Sequence, residues 1–452
     1  MKIVIAGNGK VGGALTGQLV AEGHDLILID SDSEALESGM EQYDIMSVQG
    51  NCASMETLRQ AGIEDADLLI ATTGSDEVNL LACMTAHALN RGLHTIARIR
   101  NPEYTDQAYM MKEHFALSMD FNPDRQTAIE IDRLLKYPGF LKRDAFADGR
   151  VEIVELRVDE KSKLCGTTLI RMIGIVKCKV LVCAVLRAGN VIIPDGNFEL
   201  AAGDRLFITA SADNLALLLQ NLGMQPHKVR RVVLIGGSMI SIYLAEMLLK
   251  EEIAVQIIEE DGAKCVRLAS RLPRAQIIHA DATVQSVLES ERVGEADAVI
   301  ALTGKDELNI ILSLYASSCK VDQVITKLSR VDRMQLIENL PIGRIVCPKN
   351  LCSNGIVRYV RSIPNQQTAA KTIHTIADGK VEALEFAVDE NTLHCDEPLK
   401  DIRLRKNMLI VGISHGKRTE IPGGTSCFSV GDSVVVVSSG ERMIGCLNDI
   451  FE

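Results

Sequence analysis

Tryptophan is absent from this chain, and 452 residues contain only seven tyrosines and nine phenylalanines. Its cores must therefore be built from Val, Ile, Leu, Ala and Met. Long apolar runs are missing as well. The longest charge-free stretch, Val232 to Ala245, is broken by Gly236, Gly237, Ser238 and Ser241, and it falls short of the roughly eighteen apolar residues that span a bilayer. Positive charge is in deficit: the net charge of −12 argues against a nucleic-acid binder, which needs a basic face to neutralise phosphates. C-x-x-C pairs are lacking too. The twelve cysteines are scattered, several in apolar segments (Cys83, Cys183, Cys319), so neither a disulfide framework nor a zinc site is expected. Cys347 and Cys352 have no histidine nearby, and His394-Cys395 stands alone. The first residues, Met1-Lys2-Ile3-Val4-Ile5-Ala6-Gly7, run into a strand and a turn rather than a signal peptide. The expectation is a protein of the reducing cytosol.

What is present is a duplication. Lys2-Ile3-Val4-Ile5-Ala6-Gly7 corresponds to Val232-Val233-Leu234-Ile235-Gly236, and Ala66-Asp67-Leu68-Leu69-Ile70-Ala71 to Ala296-Asp297-Ala298-Val299-Ile300-Ala301. Thr73-Gly74-Ser75-Asp76-Glu77-Val78-Asn79 returns as Thr303-Gly304-Lys305-Asp306-Glu307-Leu308-Asn309. Farther on, Ile193-Pro194-Asp195-Gly196 matches Ile421-Pro422-Gly423-Gly424, and Gly203-Asp204 matches Gly431-Asp432. Matches that keep order at a nearly constant offset mark repeated modules, here N1–C1–N2–C2.

Each N module reads as alternating strands and helices. Strands are expected at Ile3–Ala6, Leu26–Asp30, Ile45–Val48, Leu68–Thr72 and Thr95–Arg98. Helices are expected at Val11–Glu22, from Ser33, at Met55–Ala61 and at Asp76–Asn90. That alternation implies a doubly wound parallel sheet. Pro-bearing turns (Asn122-Pro123, Cys347-Pro348) lead into helices Arg125–Lys136 and Leu351–Val360, with Pro138-Gly139 and Pro364-Asn365 as breakers. The C modules are smaller and β-rich (Val180–Leu186, Arg205–Ala210, Val434–Ser438), with turns at Gly189-Asn190 and Gly416-Lys417. The fold class is α/β: two Rossmann-like domains, 1–124 and 229–348, each followed by a small α+β domain, 151–225 and 378–452. Crossover helices and linkers occupy 125–150 and 349–377.

Gly7-Asn8-Gly9-Lys10-Val11-Gly12 is G-x-G-x-x-G between a strand and a helix. The first glycine makes the tight turn, the second lets a pyrophosphate approach, and the third packs helix on strand. Asp30 ends the second strand, where an acid accepts hydrogen bonds from ribose hydroxyls and repels a 2′-phosphate. NAD(H), ATP and ADP all satisfy it. Lys10 is a candidate for a terminal phosphate or a solvated surface lysine. Asn51 and Cys52 follow the third strand, where the chain passes an adenine. Thr73, Gly74 and Glu77 lie on the carboxyl edge after the fourth strand, and Arg98 closes the fifth. In the second copy Ser238 and Ser241 replace two glycines and Met239 replaces Lys10, while Glu259 keeps the acid and Lys327 stands for Arg98. That site is expected to bind weakly, to bind something else or to serve structurally.

The glycine motif, Gly50-Asn51-Cys52-Ala53, the Thr73–Asn79 segment, Ala97-Arg98-Ile99-Arg100 and Asn122-Pro123 occur in the order seen in RCK/KTN domains, and the companion modules resemble RCK-C domains. The tandem pair is similar to the peripheral regulatory subunits of bacterial Trk-type potassium uptake. The resemblance implies a cytoplasmic protein at the inner face of the membrane, self-associated into a gating ring beneath a membrane potassium-translocating subunit. Nucleotide binding would then gate the pore, without catalysis. The alternative is an NAD-dependent oxidoreductase. Against it, the C modules offer no acid–base constellation beside a nicotinamide: the first has no histidine before His227, and its Lys161 and Lys163 sit in a turn-like segment. His24 and His87, in the first N module, read as helix or loop residues rather than catalysts.

Overall fold

The computed structural model describes residues 1–104, 110, 114–136, 140, 142–146, 151–223, 229–329, 340–363, 372–377, 380–416, 418–439 and 444–452. Pro138-Gly139, Pro364-Asn365, His227 and Lys417 lie outside them. The chain folds into two compact units, each drawn from both halves: Met1–Asp132 with Val229–Ser353, and Arg133–Lys228 with Asn354–Glu452.

The first unit holds both Rossmann-like modules. In the first, β1 (Lys2–Ala6), α1 (Lys10–Ala21), β2 (Asp25–Asp30), α2 (Ser33–Gln42), β3 (Met46–Gln49), α3 (Met55–Gln60), β4 (Leu68–Ala71), α4 (Asp76–Leu89), β5 (His94–Arg98) and β6 (Met119–Phe121) follow in turn. The strands line up as β3-β2-β1-β4-β5-β6, all parallel. Strand β4 is buried throughout and β1 nearly so, as the continuous apolar runs require of strands covered by helices on both faces. Gly23, at φ 76, lets the chain leave α1 and turn into β2. The strand order reverses between β1 and β4, so a crevice opens there at the carboxyl ends.

The crossover helix α5 (Pro123–Lys136) begins two residues earlier than its apolar pattern suggests. Asn122 Oδ1 accepts Arg125 N at 3.0 Å, and proline in the first turn gives up no helical hydrogen bond.

The second unit holds the C modules. The first comprises β7 (Lys142–Phe146), β8 (Val151–Arg157), α6 (Leu169–Val176), β9 (Leu181–Arg187), β10 (Asn190–Ile192), β11 (Arg205–Ala210) and α7 (Ala212–Leu222). Its sheet is antiparallel, in the order β10-β9-β11-β8-β7. Strand β7 lies in the segment read as linker. The turn between β9 and β10 is Ala188-Gly189, at φ 48 and 78, because Asn190 already pairs with Arg187.

The second Rossmann-like module repeats the pattern: β12 (Arg231–Ile235), α8 (Met239–Lys250), β13 (Ala254–Glu259), α9 (Gly262–Arg271), β14 (Gln276–His279), α10 (Gln285–Ser290), β15 (Ala298–Ala301), α11 (Asp306–Ser318), β16 (Gln323–Lys327) and β17 (Arg344–Val346). Its sheet order, β14-β13-β12-β15-β16-β17, mirrors the first. After α12 (Pro348–Ser362) come β18 (Thr372–Ile376), β19 (Val381–Ala387), β20 (Met408–His415), β21 (Arg418–Glu420) and β22 (Ser433–Ser438). Like β7, β18 arises in a predicted linker and pairs antiparallel with its neighbour.

One core is common to the two C modules: Val151, Ile153, Ala184 and Phe207 of the first pack with Val381, Ala383, Val411 and Val435 of the second. Sheet therefore faces sheet. At Gly412 the sheets lie close enough that an added Cβ would stand 3.1 Å from Val151 Cγ1. Each fully buried side chain of this kind contributes about 2 kcal/mol, so the shared core joins the C modules. No described helix is long and apolar enough to cross a membrane.

Candidate functional site

The parallel strands of the first module bring the singled-out segments to one edge. Gly7 follows β1, Asp30 ends β2, Asn51 follows β3, Thr73 follows β4 and Arg98 ends β5. Gly7 has φ 99, and a Cβ there would lie 2.9 Å from Thr73 N, so the turn rests directly on the end of β4. Thr72, which the sequence reading did not single out, fixes that contact: its Oγ1 donates to Gly7 O at 2.8 Å. Gly12 is tighter still, for a Cβ there would stand 1.9 Å from Gly7 O. Gly9 is the opposite case. It caps α1 without a side-chain hydrogen bond, and a Cβ there would meet nothing within 4 Å. Helix α1 thus opens on free space with its first amides uncapped, the arrangement that attracts phosphate oxygens. Lys10, its first residue, is exposed beside them.

Asp30 already holds the loop. Its Oδ2 accepts Asn8 N at 2.7 Å and its Oδ1 accepts Asp32 N at 3.1 Å. Asn8 turns inward, donating through Nδ2 to Ala35 O at 2.5 Å, so it ties the loop to α2 and does not face the crevice. Val11 is buried against the sheet and offers the crevice its backbone alone. Cys52 likewise packs into the core, where burial pushes its thiol up to about 11. Asn51 spends its carbonyl oxygen on Ala53 N at 3.0 Å.

Thr73 is pinned by Asn79, which is fully buried. Asn79 Oδ1 accepts Thr73 Oγ1 at 2.7 Å and Thr73 N at 2.9 Å, and its Nδ2 donates to Arg98 O at 2.9 Å. Asn79 was visible in the repeat, because Asn309 makes the same bonds with Thr303 and Lys327 O. Gly74 is exposed. Glu77, also exposed, accepts Ser75 Oγ at 2.5 Å and Tyr104 Oη at 2.9 Å, and these bonds, Ser75's first, hold its carboxyl below the usual range. Arg98 Nη2 donates to Thr73 O. Burial, then Arg100 beside it, lowers the guanidinium's proton affinity, against the pull of Asp76 and Asp124.

The second loop has the same backbone plan and different chemistry. Gly236 has φ 103, and Glu259 Oε2 accepts Gly237 N at 2.6 Å, as Asp30 does for Asn8. Ser238, however, caps α8: its Oγ accepts Ser241 N at 3.3 Å and lies 3.1 Å from Ser241 Oγ. Ser241, fully buried, donates to Gly236 O. Glu259 is buried, and its Oε1 lies 3.6 Å from Lys264 Nζ. Ser238 thus satisfies the helix end from within the chain. Lys327 is half-buried, and burial lowers its ammonium's proton affinity, opposed by Asp306 and Asp124 and reinforced by Lys10. Among the described residues no group of three or more His, Cys, Asp or Glu could hold a metal ion.

Comparison with known proteins agrees with this duplication. The TrkA-N domain family matches residues 3–118 and 232–348, and the TrkA-C domain family matches 153–223 and 383–444. The Trk system potassium uptake protein TrkA homolog 1 of Methanosarcina mazei is 31% identical over 445 residues, covering 97% of each chain. The Trk system potassium uptake protein TrkA of Haemophilus influenzae is 28% identical, covering 100% of this chain and 99% of that one. In fold the chain is similar to the GsuK RCK domain, with a TM-score of 0.62 at 17% identity over 97% of this chain and 92% of that one. The GsuK channel bound to NAD gives the same TM-score and identity, covering 97% of this chain and 77% of that one. With both domain types matched twice in tandem and relatives aligned over nearly the full length, the chain belongs to the TrkA family of Trk-system potassium uptake proteins.

Proposed function

We propose that this chain is the nucleotide-responsive regulatory subunit of a Trk-type potassium uptake system. It binds NAD(H), ATP or ADP at the first glycine loop and, assembled into a cytoplasmic ring, conveys that occupancy to a membrane potassium-translocating subunit. The observation that carries the reading is the open end of α1: uncapped amides behind Gly9, Lys10 beside them, and Asp30 across the loop. The names of the relatives supply the transport system. Structures of similar fold described as bound to NAD and to ADP supply the ligand class.

In this reading Gly7, Gly9 and Gly12 admit the phosphates and Asp30 receives a ribose diol, exchanging its bond to Asn8 N or sharing it. Lys10 and Arg98 answer phosphate charge, and the backbone of Asn51 and Cys52 passes the base. Thr73, Gly74 and Glu77 form the far wall. Residues 1–124 and 229–348 are the two Rossmann units, 151–225 and 378–452 the companions. A ligand gates only through a difference in affinity between two ring states. Calorimetric titration with NADH, NAD, ATP, ADP and NADPH tests the proposal. One site per chain is expected, with NADPH weakest, and Asp30→Ala should weaken binding at least about tenfold. Absence of binding by all five, or unchanged binding in Asp30→Ala, overturns the assignment.

A further inference from the structure

Arg98, Ile99 and Arg100 leave the first sheet as a clamped segment. Arg98 O accepts Asn79 Nδ2 at 2.9 Å, Ile99 N donates to Phe121 O at 3.0 Å, and Arg100 N donates to Asp76 Oδ2 at 2.9 Å. The last carbonyl, Arg100 O, takes two donors. One is Asn122 Nδ2 at 3.2 Å, from the residue that caps the crossover helix. The other is Tyr243 Oη at 2.9 Å, and Tyr243 belongs to α8 of the second module. Asn122 Nδ2 also donates to Tyr243 Oη at 3.0 Å. The phenol, 6% exposed, thus has both its donor and its acceptor capacity satisfied by the first module, as a buried tyrosine requires.

The residues aligned with this junction cannot repeat it in the reverse direction. Aligning Gly236 on Gly7 sets Ala14 where Tyr243 stands, Cys347-Pro348 repeats Asn122-Pro123, and Ser329 occupies the place of Arg100. The last equivalence is visible in the hydrogen bonds, because Ser329 N donates to Asp306 Oδ2 at 2.8 Å as Arg100 N does to Asp76. The second module therefore reaches the Arg100 end of the first module with a phenol, at a helix position where the first module carries only the methyl group of Ala14. This phenol junction sits at the module whose glycine loop is open.

We propose that Tyr243 is a positioning residue of the first site, supplied by the second module, and that it carries ligand occupancy of the first glycine loop into α8. The inference rests on the nucleotide reading above and names the element that reads the ligand. One end of the clamped segment bears the Arg98 guanidinium, whose Nη2 donates to Thr73 O beside Gly7. A phosphate on the loop attracts that guanidinium. The other end is Arg100 O, so a shift at Arg98 is delivered to Asn122 and Tyr243 two residues on. Asp124, in the first turn of the crossover helix, is faced by Arg100, Arg98 and Lys327. The anion therefore enters a charge cluster drawn from both modules. Coupling here runs through consecutive hydrogen-bonded groups that touch both sites, the kind of contact a coupling claim needs.

The test compares the full-length chain with Tyr243→Phe, which removes the hydroxyl and leaves the ring in its seat. ADP and NADH are the probes, read by calorimetry and by amide hydrogen exchange. In the unaltered protein, ligand should slow exchange about fivefold or more both in Gly9–Gly13 and in α8. In Tyr243→Phe, affinity should stay within about tenfold, as for loss of one neutral hydrogen bond. Protection of Gly9–Gly13 should persist while that of α8 disappears. If α8 is protected equally in both proteins, or in neither although ligand binds, this inference fails and the nucleotide reading stands. If neither probe binds the unaltered protein, the nucleotide reading fails and takes the inference with it.

Discussion

The two glycine loops share a strand, a turn, a helix and an acid, yet they are in opposite chemical states. The first leaves the amides of α1 uncapped, whereas the second fills the same position with its own Ser238 hydroxyl. Volume is exchanged as well. Asn8 lies against Gly39, where a Cβ would come 3.1 Å from Asn8 Nδ2; in the second copy Gly237 makes room for Leu268, whose Cδ1 would stand 2.6 Å from a Cβ. A motif that loses its glycines has not simply decayed. The residues that replaced them supply, from within the chain, the hydrogen bonds and bulk that keep the loop shaped when nothing is bound.

The harshest way to break this comparison is Gly12→Ser, which writes the second copy's residue into the first loop. The added Cβ would stand 1.9 Å from the backbone oxygen of Gly7, so the turn must move. The expected cost is about 3 kcal/mol, with ADP and NADH binding lost in calorimetry. The mirror change, Ser241→Gly, loses the bond to Gly236 O and places glycine in a helix, together about 2 kcal/mol. If Gly12→Ser melts and binds like the unaltered chain, the loops are interchangeable and the asymmetry has no functional content.

How far this was legible in advance depends on the kind of feature. The order of strands and helices in the Rossmann modules was written in short apolar runs alternating with helical segments, and the parallel sheet then forced the strand ends onto one edge. Side-chain direction was not written there. Motif spacing places Val11, Cys52 and Asn8 near the crevice, but packing turns Val11 and Cys52 into the core and Asn8 toward α2. The strands Lys142–Phe146 and Thr372–Ile376 hid in the linkers because their sequences lack an apolar run and become strands by pairing with β8 and β19. Tyr243 had no local signal at all. Its partners lie 121 and 143 residues away, and only the docking of the two copies brings them within reach.

The C modules offer a milder contrast. Asp204, buried after the Gly203 turn, receives both Arg187 Nε and Arg187 Nη2 at 2.7 Å, while the equivalent Asp432 meets His415 Nδ1 at 2.7 Å. The first pair has a permanent cation; the second has a ring that is charged only when protonated. Burial resists charge on Asp204, but the Arg187 fork and Ala201 N prevail and hold its carboxyl below the usual range. A depressed folded-state value stabilises above the unfolded value of about 3.9, and that contribution is lost as pH falls through the folded one. Asp204→Asn should therefore cost about 2 kcal/mol at neutral pH and show less acid sensitivity below about pH 4. Thermal melts between neutral and acidic pH check both. Parallel curves for the two proteins would mean that the Arg187 fork contributes nothing in solution.

The smallest effect is the most specific. Ser238→Ala removes the hydroxyl that caps α8 and should lower the local opening free energy of that helix by about 1 kcal/mol, whereas Ser238→Gly should cost only a few tenths. Amide hydrogen exchange across Met239–Lys250 reads the difference; with no tryptophan in the chain, intrinsic indole fluorescence has nothing to follow. The order of the two variants decides the matter. If Ala costs more than Gly, capping explains the serine and the second loop is closed by its own side chain. If Gly costs more than Ala, the position is governed by backbone freedom instead, and the difference between the open and closed loops rests on Ser241, on the exchange of Asn8 for Gly237 against Leu268, and on buried Glu259 beside exposed Lys264.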